Sequence, residues 1–151
     1  MNAQQFRKIL FFKIPIAWIA GLRLKSFSNQ KCEIKVKLSK FSQNPFRSMF
    51  WAVQGMAAEF TTGFMCMDQV QKSGEKISML VLEQNGKFTK KAVGRITFVC
   101  DEGDKIKDVI QKAIDTKEGQ TLKLTSRGYD EAGDMVSEFW FLWTFKVKSK
   151  S

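Results

Sequence analysis

The sequence predicts an α+β domain in which antiparallel strands surround one buried helix. Three observations predict it. Ser48 to Asp68, SMFWAVQGMAAEFTTGFMCMD, is apolar almost all the way round, with Glu59 near its middle. Such a helix belongs in a core, where a lone acid must be neutral, paired or working. Lys31 to Leu38 alternates Cys32, Ile34, Val36 and Leu38 with Glu33, Lys35 and Lys37, the pattern of a half-buried strand. Met135 to Lys148 is long and partly apolar on both faces, so it is expected to be an interior strand covering something bulky.

The elements follow in order. Asn2 to Phe12 reads as a short helix, ended by a turn at Pro15. Leu22 to Phe27 and Lys31 to Leu38 form a hairpin through Ser28-Asn29-Gln30. Asn44 as cap with Pro45 in the first turn opens the apolar helix, and Ser48 is a second cap candidate. The helix runs to about Gln71, with Gly74 just past its end. Ile77 to Glu83 is a strand, followed by an Asn85-Gly86 turn signal and an irregular stretch. Ala92 to Cys100 is another strand. Asp104 caps an amphipathic helix whose stripe is Ile106, Val109, Ile110, Ala113 and Ile114, closed by Gly119. Thr121 to Tyr129 and Met135 to Lys148 make the last hairpin. Disorder is expected only at the end, Lys146 to Ser151.

The whole of 1–151 is expected to be one domain, with 1–20 packed on it. The net charge of +10 invites a nucleic-acid reading. The lysines instead spread along strand alternations and one helical face (Lys105, Lys107, Lys112), with no basic block or aromatic–basic signature. They read as a solvated surface, and no nucleic-acid partner is expected. The N-terminal run Ile9 to Leu22 is broken by Lys13 and Pro15 and falls short of the roughly 20 residues that span a bilayer. No integral span is expected, although a membrane-surface role stays open. Cys32, Cys66 and Cys100 lie far apart in apolar runs and read as buried reduced thiols of a cytoplasmic protein. The chain has no histidine, which excludes Ser-His-Asp and Cys-His mechanisms and most catalytic zinc sites, so no metal is expected. Hydrolysis here would need a carboxylate, a hydroxyl, a lysine or backbone amides.

The element order, the Asn44-Pro45-Phe46 entry and the Ala57-Ala58-Glu59 step resemble the hot-dog fold, an antiparallel sheet wrapped round a central helix. The chain resembles a bacterial hot-dog family of unknown function near the phenylacetyl-CoA-type thioesterases. In those enzymes the helix begins His-Gly-Gly and a catalytic acid follows about nine residues on. Glu59 matches the acid, whereas Phe50-Trp51-Ala52 stands where His-Gly-Gly would be.

At 100° per residue, Ser48, Gly55, Glu59, Thr62 and Cys66 share one stripe, with Ala52 and Gly63 at its edge. Two readings stay open. In one, the small residues admit a neighbouring element and Glu59 pairs with Arg47 or Arg95. In the other, which the resemblance implies, the protein is an acyl-CoA or other acyl thioesterase. Glu59 then activates water, Thr62 or Ser48 positions it, and the Met49 and Phe50 amides hold the oxyanion. Asn44, Gly55 and Arg47 would line the substrate site. Coenzyme A enters only as part of the substrate, its phosphates near Arg47, Lys87, Lys90 or Lys91, and the site is shared in a homodimer or tetramer. The missing His-Gly-Gly keeps a non-catalytic acyl- or lipid-binding protein as the alternative. Cys66, with no histidine to activate it, is expected to be an inert thiol.

Overall fold

The elements of the computed structural model, which describes residues 1–148, follow the expected order. They are α1 (Ala3–Lys13), α2 (Pro15–Ile19), β1 (Arg23–Phe27), β2 (Cys32–Lys37) and α3 (Trp51–Ser73). Next come β3 (Ile77–Phe88), β4 (Arg95–Cys100), α4 (Gly103–Thr116), β5 (Gln120–Tyr129) and β6 (Met135–Val147). Of the C-terminal stretch expected to be disordered, Lys146 and Val147 belong to β6, and 149–151 lie outside the described residues.

Six strands form one antiparallel sheet in the order β1-β2-β4-β5-β6-β3. Helix α3 packs on β2, β4, β5 and β6, and α4 lies against α3, β5 and β6. The inner face of β6 supplies Phe139, Phe141, Trp143 and Phe145, all buried, so this strand has the interior place and bulky cover its pattern predicted.

Two local expectations fail for physical reasons. Asn85-Gly86 does not turn the chain. Strand β3 runs straight through it, with Gly86 opposite Phe139. A Cβ on Gly86 would sit 2.9 Å from Cε1 of Phe139, so the glycine is there to admit the ring. The strand before it therefore pairs with β6, the last in the chain, and β3 and β4 are not a hairpin. Asn44 and Ser48 do not cap α3. Asn44 Oδ1 accepts from the N–H groups of Phe46 (2.9 Å) and Ser48 (3.2 Å), closing a loop before the helix. The N-cap is Phe50, with no side-chain hydrogen bond.

Helix ends show the same mixture. Asn2 caps α1 in a reciprocal box with Gln5. Gly74 ends α3 in the left-handed conformation at φ 72°. In α4 the cap position is Glu102 rather than Asp104, whose carboxylate accepts from Gln30 instead. Lys117, not Gly119, takes the left-handed turn after it.

Polar contacts fasten α3 to the sheet. Gln54 Oε1 accepts from Ser137 Oγ at 2.8 Å on β6, and its Nε2 donates to Met49 O. Thr61 Oγ1 shares a hydrogen bond with Ser126 Oγ at 2.8 Å on β5. Thr62 Oγ1 accepts from Trp143 Nε1 at 3.0 Å. Each joins groups that would be costly to bury alone. Thr61→Val should therefore strand the fully buried Ser126 hydroxyl and cost about 1–3 kcal/mol in urea unfolding. Adding Ser126→Ala should recover part of that loss, and a strictly additive double variant would show that the pair carries no coupling.

Candidate functional site

Glu59 stands apart from the other polar groups of α3. It is half-buried and makes no ion pair and no side-chain hydrogen bond among the described residues. The pairing reading is thereby corrected. Arg95 sits 3.6 Å from Glu131, and Arg47 is an exposed loop residue held at φ 61°. Arg95 is the exposed first residue of β4 and Arg47 lies in a surface loop, and at both places solvent compensates a guanidinium better than a half-buried acid would.

A glycine and an indole stand near the Glu59 carboxyl. An ideal Cβ on Gly63 would lie 3.2 Å from Glu59 Oε1 and 3.3 Å from Cζ2 and Cη2 of Trp143. The carboxyl and the carbon edge of the indole thus crowd one point above a helical glycine. Trp143 is fixed there because its N–H is spent on Thr62. An apolar neighbour and no cation leave the charged form poorly solvated, and burial pushes the Glu59 pKa from 4.5 up to about 7.

The other expected site residues divide. Thr62 is fully buried, donates to Glu59 O at 2.9 Å and accepts from Trp143, so its hydroxyl is unavailable to position water. Gly55 keeps its place on the half-buried stripe with Ala52 and Glu59. Cys66 is fully buried, and desolvation pushes its thiol pKa well up, which matches an inert core position. Ser48 lies before the helix, bonded to Asn44, so it has no angular place on the helical stripe. The amides of Met49 and Phe50 are already spent, donating to Ala92 O and Ser42 O at 2.8 Å each. The unengaged donors are one step on. Trp51 and Ala52 open the helix, and no acceptor meets their N–H groups among the described residues. Bulky Phe50 and Trp51 do not block this end, because both side chains turn outward, 44% and 53% exposed.

A cleft of about 430 Å³ opens over this helix start, its wall formed by Asn44, Ser48, Trp51, Gln54, Phe88 and Lys91. Arg47 and Lys91 enter no ion pair among the described residues, whereas Lys90 is held by Asp130 and Asp134 at 2.7 Å each. No group of three His, Cys, Asp or Glu side chains able to hold a metal occurs among the described residues. Sequence reasoning missed Trp143 and the Trp51–Ala52 donors. Nothing in the linear pattern of β6 marks Trp143 as the neighbour of Glu59, and the expected caps at Asn44 and Ser48 hid that the helix opens at Phe50 with no side-chain cap.

A family profile, a domain of unknown function (DUF4442), matches residues 2–144. The chain belongs to this DUF4442 family. The protein has the hot-dog fold, shared with solved structures that resemble it over nearly its whole length. A Pseudomonas aeruginosa protein of unknown function, considered a probable thioesterase, is 18% identical with a TM-score of 0.81, covering 97% of both chains. A provisionally assigned thioesterase from Shewanella oneidensis is 14% identical with a TM-score of 0.79, again covering 97% of each. A Staphylococcus aureus thioesterase, solved with a glutamine replaced by alanine, is 12% identical with a TM-score of 0.68, covering 87% of this chain and 98% of its own. The same protein was also solved with a glutamate replaced by alanine. These identities carry the fold alone. No curated protein matches the sequence.

The raised pKa has a thermodynamic consequence. Between about 4.5 and 7 the folded chain keeps a proton on Glu59 that the unfolded chain has lost. Stability must fall as pH rises through that window and level off above it. Glu59→Gln removes the penalty. The variant should be more stable than wild type near pH 8, by at most about 3 kcal/mol, and equal to it below about pH 4.5. Urea unfolding of both proteins at the two pH values checks this; a gap that does not change with pH would contradict it.

Proposed function

We propose that the protein is an acyl-CoA thioesterase in which Glu59 activates water. The observation that carries the reading is the lone carboxyl on the half-buried stripe of α3, unpaired and raised to about 7 while the other buried polar groups of that helix are satisfied. In this reading the Glu59 carboxylate takes a proton as water attacks the thioester carbonyl carbon. The carbonyl oxygen gains the charge, the C–S bond breaks, and the proton passes to the departing coenzyme A sulfur.

The oxyanion needs donors, and the length of the helix bears on where they would come from. Trp51 and Glu59 are eight residues apart on one helix, about 12 Å along its axis, too far to meet at one carbonyl. The Trp51 and Ala52 amides that complete the site would belong to a second copy. Strand β3 supports such a pairing. It is a twelve-residue edge strand with one side unpaired, so two copies joined there would extend the sheet. The cleft over the helix start would take the thioester end of coenzyme A, with Arg47, Lys87 and Lys91 near its phosphates and Asn44 on its wall. The Asn44 side chain is already engaged with Phe46 and Ser48, so its part would be to hold the loop at the cleft wall.

The alternative of a non-catalytic acyl or lipid binder rests on Phe50-Trp51-Ala52 standing where the phenylacetyl-CoA-type enzymes have His-Gly-Gly. Steady-state hydrolysis of acyl-CoAs of several chain lengths decides between them. Glu59→Gln should lower kcat by about a hundredfold or more, and kcat should rise with pH through about 7. Equal rates in the two proteins would remove Glu59 as the base, and retained acyl ligand without turnover would favour the binder.

A further inference from the structure

We propose that the α1–α2 segment docks the protein on an anionic membrane surface. The inner side of α1 is already satisfied: Phe6 and Leu10 are fully buried, and Phe6 meets Phe64 edge-on at 5.2 Å. Its opposite side carries Arg7, Lys8, Phe11 and Phe12. Phe11, Phe12, Ile16 and Ile19 are each more than half exposed, in a chain that buries Phe98, Phe139 and Phe145 completely. They do not stand singly. Phe11 touches Phe12 at 5.0 Å and Trp18 at 5.2 Å, both edge-on, so one aromatic group bridges the two helices. Scattered exposed apolar residues are ordinary, but a contiguous group points to something that covers it.

The charge of this segment selects the partner. No acidic residue precedes Glu33, and Arg7, Lys8 and Lys13 lie within the first helix. None of the three forms an ion pair among the described residues. A depression of about 590 Å³ runs along the same face, lined by Arg7, Lys8, Phe11, Phe12 and Trp18, so cations and rings border one surface. A second copy placed here face to face would bring the same cations against their own kind, and the neighbouring acid, Asp68, is already held by Lys72 at 2.6 Å. Anionic headgroups answer the cations, and the acyl boundary beneath them accepts the rings. The segment would lie on the surface, since no helix among the described residues is long and apolar enough to cross a membrane.

Co-sedimentation of the whole protein with vesicles tests the assignment, comparing phosphatidylcholine alone with phosphatidylcholine containing about 30% phosphatidylglycerol. Wild type should bind the anionic vesicles at least about tenfold more tightly, with binding that weakens as salt rises. Phe11→Ser with Phe12→Ser, and separately Arg7→Glu with Lys8→Glu, should each lose about tenfold or more while keeping the wild-type melting temperature, because all four side chains are exposed. Wild type that fails to bind, or variants that bind equally, would overturn the proposal. So would a loss of oligomer size in the phenylalanine variant without vesicle binding by wild type, which would assign the face to a second copy.

Discussion

Helix α3 has to shed water over most of its circumference, and the sheet is arranged to let it. Burying an apolar helix is favourable, but Gln54, Thr61 and Thr62 go in with it. Each unpaired amide or hydroxyl would offset much of the gain from a neighbouring large side chain. Ser137, Ser126 and Trp143 answer them from β5 and β6, and these contacts also fix the rotation of the helix against the sheet. Once that rotation is set, Glu59 has no freedom to find a partner. Its position beside Gly63 and the indole edge follows from how its neighbours were satisfied.

The chemistry proposed at Glu59 depends on this fixed placement. A carboxyl on a mobile surface would reach for a lysine, of which the chain has many. Glu59 is instead held against an apolar edge, where its proton is retained to about neutral pH. Trp143 is a positioning residue in this arrangement: its N–H is turned to Thr62, so its carbon edge is what faces the acid. The same rigid helix separates Glu59 from its own N-terminal amides. In the proposed reaction, this separation is why the oxyanion donors would come from a second copy.

Much of the architecture was legible in the sequence, because periodicity reports burial directly. The alternation of β2, the stripe of α4 and the two-sided apolar pattern of β6 each mark their element, and the run around Glu59 marks α3. Punctuation read less well. Asn85-Gly86 has the residues of a tight turn but lies inside β3, since the glycine answers to Phe139 across the sheet rather than to local backbone geometry. Asn44 and Asp104 have the chemistry of caps but spend it on a loop and on Gln30. The special position of Glu59 was visible from its isolation in an oily helix. Its neighbour Trp143, more than eighty residues away in sequence, was not, nor was the engagement of the Met49 and Phe50 amides by Ala92 and Ser42. Such pairings are set by tertiary contacts that no local pattern encodes.

Glu59 is an unpaired carboxyl whose burial keeps it protonated to near-neutral pH. The most direct measurement is a ¹³C NMR titration of the glutamate side-chain carboxyls in the folded protein, with Glu59→Gln identifying the resonance. That signal should titrate with a midpoint of about 7. A midpoint near the ordinary 4.5 would contradict it, because it would mean that Glu59 is solvated or paired.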